Sequence, residues 1–194
     1  MDAQALPSPE GLPSLLGTPR TSLEDFAIET GQPRFRGQQL FEWIFHKRCA
    51  AFSGLANLPK SFCTALEASF SLARPTIDRV EVSLDGTRKY RFLGPDHTAY
   101  EAVYIPEVAK ARKTNTLCVS SQSGCAGGCR FCLTASIRRN RNLAPWEIVG
   151  QVMAVQDDVQ SLGPSARVSN IVFMGMGEPL LNFSNVVLSI RVLL

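Results

Sequence analysis

The sequence predicts an α/β protein in two parts: a small helical module that runs into a β-meander, and then the first strand–helix units of a parallel sheet. Three observations carry this. Up to about Phe70 the apolar residues recur at helical spacing, from Ile77 to Ile105 they alternate, and from Thr116 strand-like and helix-like segments take turns. Met1 to Gly11 is rich in proline and small residues, and residues 1–14 are read as a loose tail.

The elements follow in order. Thr21 is placed to cap a first helix, with Glu24 three residues on to return the bond; Leu23, Phe26 and Ala27 form its apolar face and Gly31 ends it. A second helix is expected from Gly37 to Lys47, with Leu40, Phe41, Ile44 and Phe45 on one side. A third opens at Pro59 and buries Phe62, Leu66 and Phe70. The period then changes. Ile77 to Leu84 alternates, Asp85-Gly86 signals a hairpin turn, Arg88 to Leu93 alternates again, and Tyr100 to Ile105 makes a third strand. Pro106 to Thr114, charged and poor in apolar residues, is the expected boundary. Beyond it come a short strand at Leu117 to Ser120, a helix from Pro145 with Ile148, Val149, Val152 and Val155 facing inward, and a strand at Asn170 to Met174 buried on both faces. Ligands of such sheets sit beyond the carboxyl ends of the strands.

Composition bounds the classes. The 194 residues are 45% hydrophobic and 19% charged, enough for a packed core and unlike a disordered chain. No run approaches the roughly 18 apolar residues of a membrane span, and the first ten residues lack the basic and apolar regions of a signal peptide. Six cysteines, half of them in one cluster, suit a reducing compartment, the cytoplasm by default. The net charge of +3 is small, but basic residues gather in three places: Arg34, Arg36, Lys47 and Arg48; Lys110, Arg112 and Lys113; and Arg130, Arg138, Arg139 and Arg141. Such groups suit a phosphate backbone or an ordinary solvated surface.

Chemistry concentrates in Cys125-Ala-Gly-Gly-Cys129-Arg-Phe-Cys132, three cysteines within eight residues. The glycines let the backbone fold back so that three thiolates converge. Structural zinc wants a fourth ligand, and the only histidines, His46 and His97, are distant in sequence. A 4Fe–4S cluster fits better, because thiolates hold it and one iron can stay open to a substrate. Phe131 is expected to shield a cluster face from water.

This spacing is the signature of the radical S-adenosylmethionine (SAM) enzymes. Leu117-Cys-Val-Ser-Ser-Gln-Ser-Gly-Cys through Cys132, Arg141-Asn-Leu, Glu147-Ile-Val-Gly-Gln-Val152 and Phe173-Met-Gly-Met-Gly-Glu-Pro-Leu-Leu-Asn182 resemble the RlmN/Cfr family. The resemblance runs from about Leu15 to the last residue. It implies a partial (βα)6 radical SAM barrel whose first units occupy residues 111–194, preceded at 15–105 by an RNA-binding accessory domain of helices and meander. It implies methylation of an adenine in large-subunit (23S) ribosomal RNA, and in transfer RNA for RlmN members. One 4Fe–4S cluster per chain, SAM, and an electron donor such as flavodoxin come with it, in a cytoplasmic monomer.

By the same resemblance Cys125, Cys129 and Cys132 hold the cluster, and Gly177 and Glu178 contact the amino group of SAM. Glu101 is the proton acceptor. Cys118 matches one of the family's two reactive cysteines, the one that helps resolve a protein–RNA intermediate, and a disulfide bond is expected of the family. Cys49 and Cys63 match nothing functional and read as packing. The run Leu133 to Asn140 is more basic than the family pattern.

The sequence ends at Leu194 inside an apolar helical run without a stop signal, which reads as a truncated product lacking the later strands and the methyl-carrying cysteine. Such a chain is expected to transfer no methyl by itself. The RlmN type, acting on carbon 2, is favoured over the Cfr type, acting on carbon 8, because the long amino-terminal module is present. The rivals are an RNA-binding module with a vestigial cluster and, for want of a fourth ligand less favoured, a zinc-bound RNA adaptor.

Overall fold

The computed structural model describes residues 11–107, 114–137 and 140–194. The basic groups at Lys110, Arg112, Lys113, Arg138 and Arg139 lie outside the described residues. The helical module contains α1 (Arg20–Glu29), α2 (Phe35–Phe41) and α3 (Lys60–Ser69). Pro19, with extended backbone, precedes α1, so Thr21 lies within the first turn and makes no cap. Glu24 is instead buried and takes ion pairs from Arg20 at 3.0 Å and Arg34 at 2.7 Å. The hydrogen bond from Arg34 holds its carboxyl below the usual range. Gly37 sits where α2 crosses α1: a Cβ there would lie 2.4 Å from the Glu24 backbone. The second helix starts two residues earlier than its apolar spacing implies and ends in a π-helical turn, Glu42–His46. Leu23, Ala27, Leu40, Ile44, Phe62 and Leu66 close this first core, with Cys49 and Cys63 packed against it.

The strands form one mixed sheet in the order β1 (Thr76–Val82), β2 (Arg88–Leu93), β3 (Ala99–Ile105), β4 (Thr116–Cys118) and β5 (Asn170–Val172). The first four strands pair antiparallel and β4 pairs parallel with β5. Val103 faces Cys118 across β3 and β4, and Cys118 faces Val172 across β4 and β5. The meander and the first strand of the parallel unit therefore share a single sheet. The β1–β2 turn is closed by Asp85, whose carboxylate accepts from the Thr87 amide and hydroxyl.

Helix α4 (Pro145–Val159) joins the two cores, because it is apolar on more than one side. Ile148, Val152 and Val155 pack on the sheet with Tyr90, Phe92 and Tyr100, whereas Trp146 enters the helical core. Val149 and Met153 meet Val192 of α5 (Phe183–Leu193). Asp157 binds Arg48 and Arg74, and Asp158 binds Arg88 and the Tyr90 hydroxyl, so the end of α4 is tied to both the module and the meander. Among the described residues β5 lies at the edge of the sheet, with Asn170 exposed and Ile171 and Val172 half-buried. Among the described residues no helix is long and apolar enough to cross a membrane.

Candidate active site

The cysteine loop hangs from a neck built just beyond β4. Val119 donates its amide to the Val172 carbonyl, extending the ladder by one residue. At Ser120 a side chain replaces the missing strand: Gln151 of α4, fully buried, accepts from the Ser120 amide at 2.9 Å and donates to its carbonyl at 3.0 Å. The return limb closes the neck. Ser123 donates to the Arg141 carbonyl at 3.0 Å and Leu143 to the Ser121 carbonyl at 3.0 Å. Residues 124–137 thus project from a fixed base.

The loop after β5 is seated on that same neck. Gly175 donates to the Val119 carbonyl at 3.1 Å, Met176 to the Ser120 hydroxyl at 2.8 Å, and the Met176 carbonyl accepts from both Ser121 and Gln122. The Glu178 amide donates to the Gln122 side-chain oxygen at 2.9 Å. Gly177 has φ +96°, and a Cβ on it would lie 2.5 Å from the Gln122 Cβ, so both conformation and space demand glycine. The Glu178 carboxylate is exposed and accepts from the Leu180 amide at 3.1 Å. Asn182, buried, donates to the Ser121 and Leu143 carbonyls. The Ser121 hydroxyl is buried with no partner among the described residues, a polar atom left open at the junction.

Within the loop, the Gly127 amide donates to Cys125 Sγ at 3.3 Å. A Cβ on Gly127 would sit 3.3 Å from Cys125 Sγ and 4.0 Å from Cys129 Sγ, so both sulfurs flank the space that glycine leaves. Hydrogen bonds from Thr134, its side chain first, hold the Cys132 thiol below the usual cysteine value. Among the described residues no three His, Cys, Asp or Glu side chains are drawn to a common point at metal-holding distance. The donor set still fits an iron–sulfur cluster: three unbridged thiols on one accessible loop, with thiolate-stabilising N–H and O–H groups beside them. Phe131 is 93% exposed on the loop surface. One expectation changes. All six cysteines are free, so the expected disulfide is absent; the partner that the resemblance assigns to Cys118 is not in this sequence. Burial pushes the Cys118 thiol up, as for an uncharged thiol set in a sheet.

Glu101, on β3, has a side chain 41% exposed and lies 3.7 Å from Lys89. It lines a cavity of about 520 Å³ together with His97, Ser123, Leu133, Thr134 and Met176. This wall combines the meander, the neck, the segment after Cys132 and the glycine loop. The Ser120 hydroxyl, which accepts from Met176, donates in turn to the Glu101 carbonyl.

Arg141 is not part of a basic rim. It lies in a half-buried ion triad, with Asp96 at 2.9 Å and Glu147, itself 0% exposed, at 2.7 Å. Burial alone would raise the Asp96 carboxyl, but the bonds from Arg141 and Thr98 hold it well below the carboxylate range. Burial would likewise lower the Arg141 guanidinium, and Glu147 and Asp96 raise it instead. Glu147 also accepts from the Ala144 amide at 2.9 Å, closing the first turn of α4. Sequence reasoning missed Ser120, Gln122, Gln151, Asn182 and this triad as working residues. Glu147 and Gln151 did carry a signal: polar residues one turn apart on a helix otherwise apolar on that side.

Residues 14–72 match the family described as "Ribosomal RNA large subunit methyltransferase N-terminal domain". The chain is 43% identical over 172 residues to the "Dual-specificity RNA methyltransferase RlmN" of Geobacter sulfurreducens, covering 89% of this chain and 45% of that protein. Residues 14–72 thus belong to that domain family, and the chain is similar to RlmN proteins over most of its length. The protein of the same name from Acidiphilium cryptum is 40% identical over 190 residues, 95% of this chain and 48% of its own length. A crystallised radical SAM methyltransferase from Sphaerobacter thermophilus superposes with a TM-score of 0.82 at 32% identity, over 93% of this chain and 51% of that one. The chain therefore spans about half the length of the RlmN relatives it matches.

Proposed function

We propose that the protein is a radical SAM methyltransferase that methylates carbon 2 of an adenine in 23S ribosomal RNA and in transfer RNA. The observation that carries this reading is the seating of the Gly175–Pro179 loop on the neck of the cysteine loop, through Ser120, Ser121 and Gln122. In this reading Cys125, Cys129 and Cys132 hold a 4Fe–4S cluster. Gly177 and Glu178 hold the amino group of SAM, a carboxylate being a strong acceptor for an ammonium. When bound, cluster and SAM supply one-electron chemistry at the SAM sulfonium.

The residues of the chain bind, orient and move protons around that chemistry. Glu101, on the cavity wall, accepts the proton that the adenine ring must lose once the new carbon–carbon bond has formed. Cys118 serves as a thiol in release of the RNA. Residues 15–105 act as an RNA-binding accessory unit and 111–194 as the first part of the catalytic core. The protein works as a cytoplasmic monomer and receives electrons from a flavodoxin-type donor. Of the basic side chains, Lys47 is exposed and available to phosphate, whereas Arg34 is engaged by Glu24, Arg48 by Asp157 and Arg141 by its triad.

The test supplies the full-length protein, under anaerobic conditions, with a reductant, SAM labelled in its methyl group and unmodified ribosomal RNA, then digests the RNA. Labelled 2-methyladenosine is the expected product. 8-Methyladenosine would overturn the regiochemistry, and no incorporation by a protein carrying an intact cluster would overturn the transferase reading.

A further inference from the structure

The two loops of the site are joined by side-chain amides, and one of them touches both. Gln122, 6% exposed, accepts from the Glu178 amide through Oε1 at 2.9 Å and donates through Nε2 to Asn142 Oδ1 at 2.7 Å. Its Cβ and Cγ fill the space beside Gly177 that any other residue there would occupy. Asn142 stands opposite Gln122 across the neck and donates to the Leu181 carbonyl at 3.3 Å. A single side chain therefore spans the outgoing limb of the cysteine loop, its return limb and the residue that carries the Glu178 carboxylate.

We propose that Gln122 is a positioning residue for SAM: it fixes the Glu178 backbone relative to the cysteine loop so that cluster and ammonium site are held in one register. The inference rests on the reading of Glu178 as a SAM contact. The physical case is one of alternatives. With Gln122 removed, the Glu178 amide loses its acceptor, and the nearest remaining ties of the loop to the neck are at Gly175 and Met176, across a flexible glycine, and at Asn182, four residues past Glu178. The carboxylate then samples orientations that SAM must restrict on binding, which lowers affinity without touching a cluster ligand.

The experiment is SAM affinity, by anaerobic equilibrium dialysis, on protein reconstituted with iron and sulfide, alongside iron content and cluster absorbance. Gln122→Leu should weaken SAM roughly five- to tenfold, the size of one displaced hydrogen bond, with iron content unchanged. Asn142→Leu should weaken it less, and Asn142→Asp, which keeps the acceptor for Gln122, should restore most of that loss. The combination Gln122→Leu with Glu178→Ala should be no weaker than Glu178→Ala alone, since Gln122 acts through Glu178. Unchanged affinity in Gln122→Leu while Glu178→Ala is weak overturns the inference and leaves the Glu178 reading standing. Unchanged affinity in Glu178→Ala overturns both. Additive losses in the double variant, or loss of iron in Gln122→Leu, would show a merely structural part and also overturn it; the exposed Asn142 pair keeps the test valid if Gln122→Leu fails to fold.

Discussion

Replacing Arg141 by Met should be among the most damaging single changes outside the cysteine loop. Arg141 bridges Asp96, in the turn between β2 and β3, and Glu147, at the start of α4. Met keeps most of the stem but leaves the Glu147 carboxylate, fully buried, with the Ala144 amide as its one partner among the described residues. Breaking a buried pair from one side costs about 3–5 kcal/mol, a large part of the roughly 5–15 kcal/mol that holds a domain folded. For a chain of this size each kcal/mol lowers Tm by about 2–4 °C, so a drop of about 6–20 °C is expected. Arg141→Met with Glu147→Leu should recover part of the loss, because no buried charge is then left alone. Urea unfolding at pH 7 followed by circular dichroism measures this. The wild type should also show an acid limb. The Asp96 carboxyl is depressed in the folded state, so its contribution is fully present above about pH 4 and is lost as pH falls below that. Arg141→Met should lack that contribution. A loss under about 1 kcal/mol, or a double variant as unstable as the sum of the singles, would refute the triad as a mutually compensating unit.

Gly177→Ala should cost about 1–3 kcal/mol through its left-handed backbone, and should weaken SAM as well, since the new Cβ meets Gln122; unfolding curves and dialysis check both. Ribosomal RNA affinity should fall steeply with salt, and Lys47→Ala should reduce the log–log slope by about one unit, whereas Arg48→Ala should leave the slope unchanged and lower Tm. Cys63→Ala should keep full iron content after reconstitution, because that residue packs against the helical core, while Cys125→Ala, Cys129→Ala and Cys132→Ala should each lose it.

What was legible in the sequence was local. β2 runs from Arg88 to Leu93, and α4 starts at Pro145, as spacing alone implies, because alternation and a first-turn proline act within a few residues. The site was legible as two motifs at the carboxyl edge of one sheet. What failed depended on distant partners. Glu24 suits a capping box by spacing, but Arg34 lies ten residues away in sequence and next to it in space. Arg141 reads as one more basic residue after the cysteines until Asp96, 45 positions earlier, is brought against it. Gln122 and Glu178 are 56 residues apart and carry no joint signal.

The claim that the cysteine loop and the Gly175–Pro179 loop make one site is tested most directly by electron paramagnetic resonance of the reduced, reconstituted protein with and without SAM. An iron–sulfur signal that shifts on adding SAM to the wild type, and that stays unshifted in Glu178→Ala at equal iron content, is the predicted result. A colourless protein that binds zinc instead, or a SAM-dependent shift of equal size in Glu178→Ala at equal SAM concentration, would contradict it.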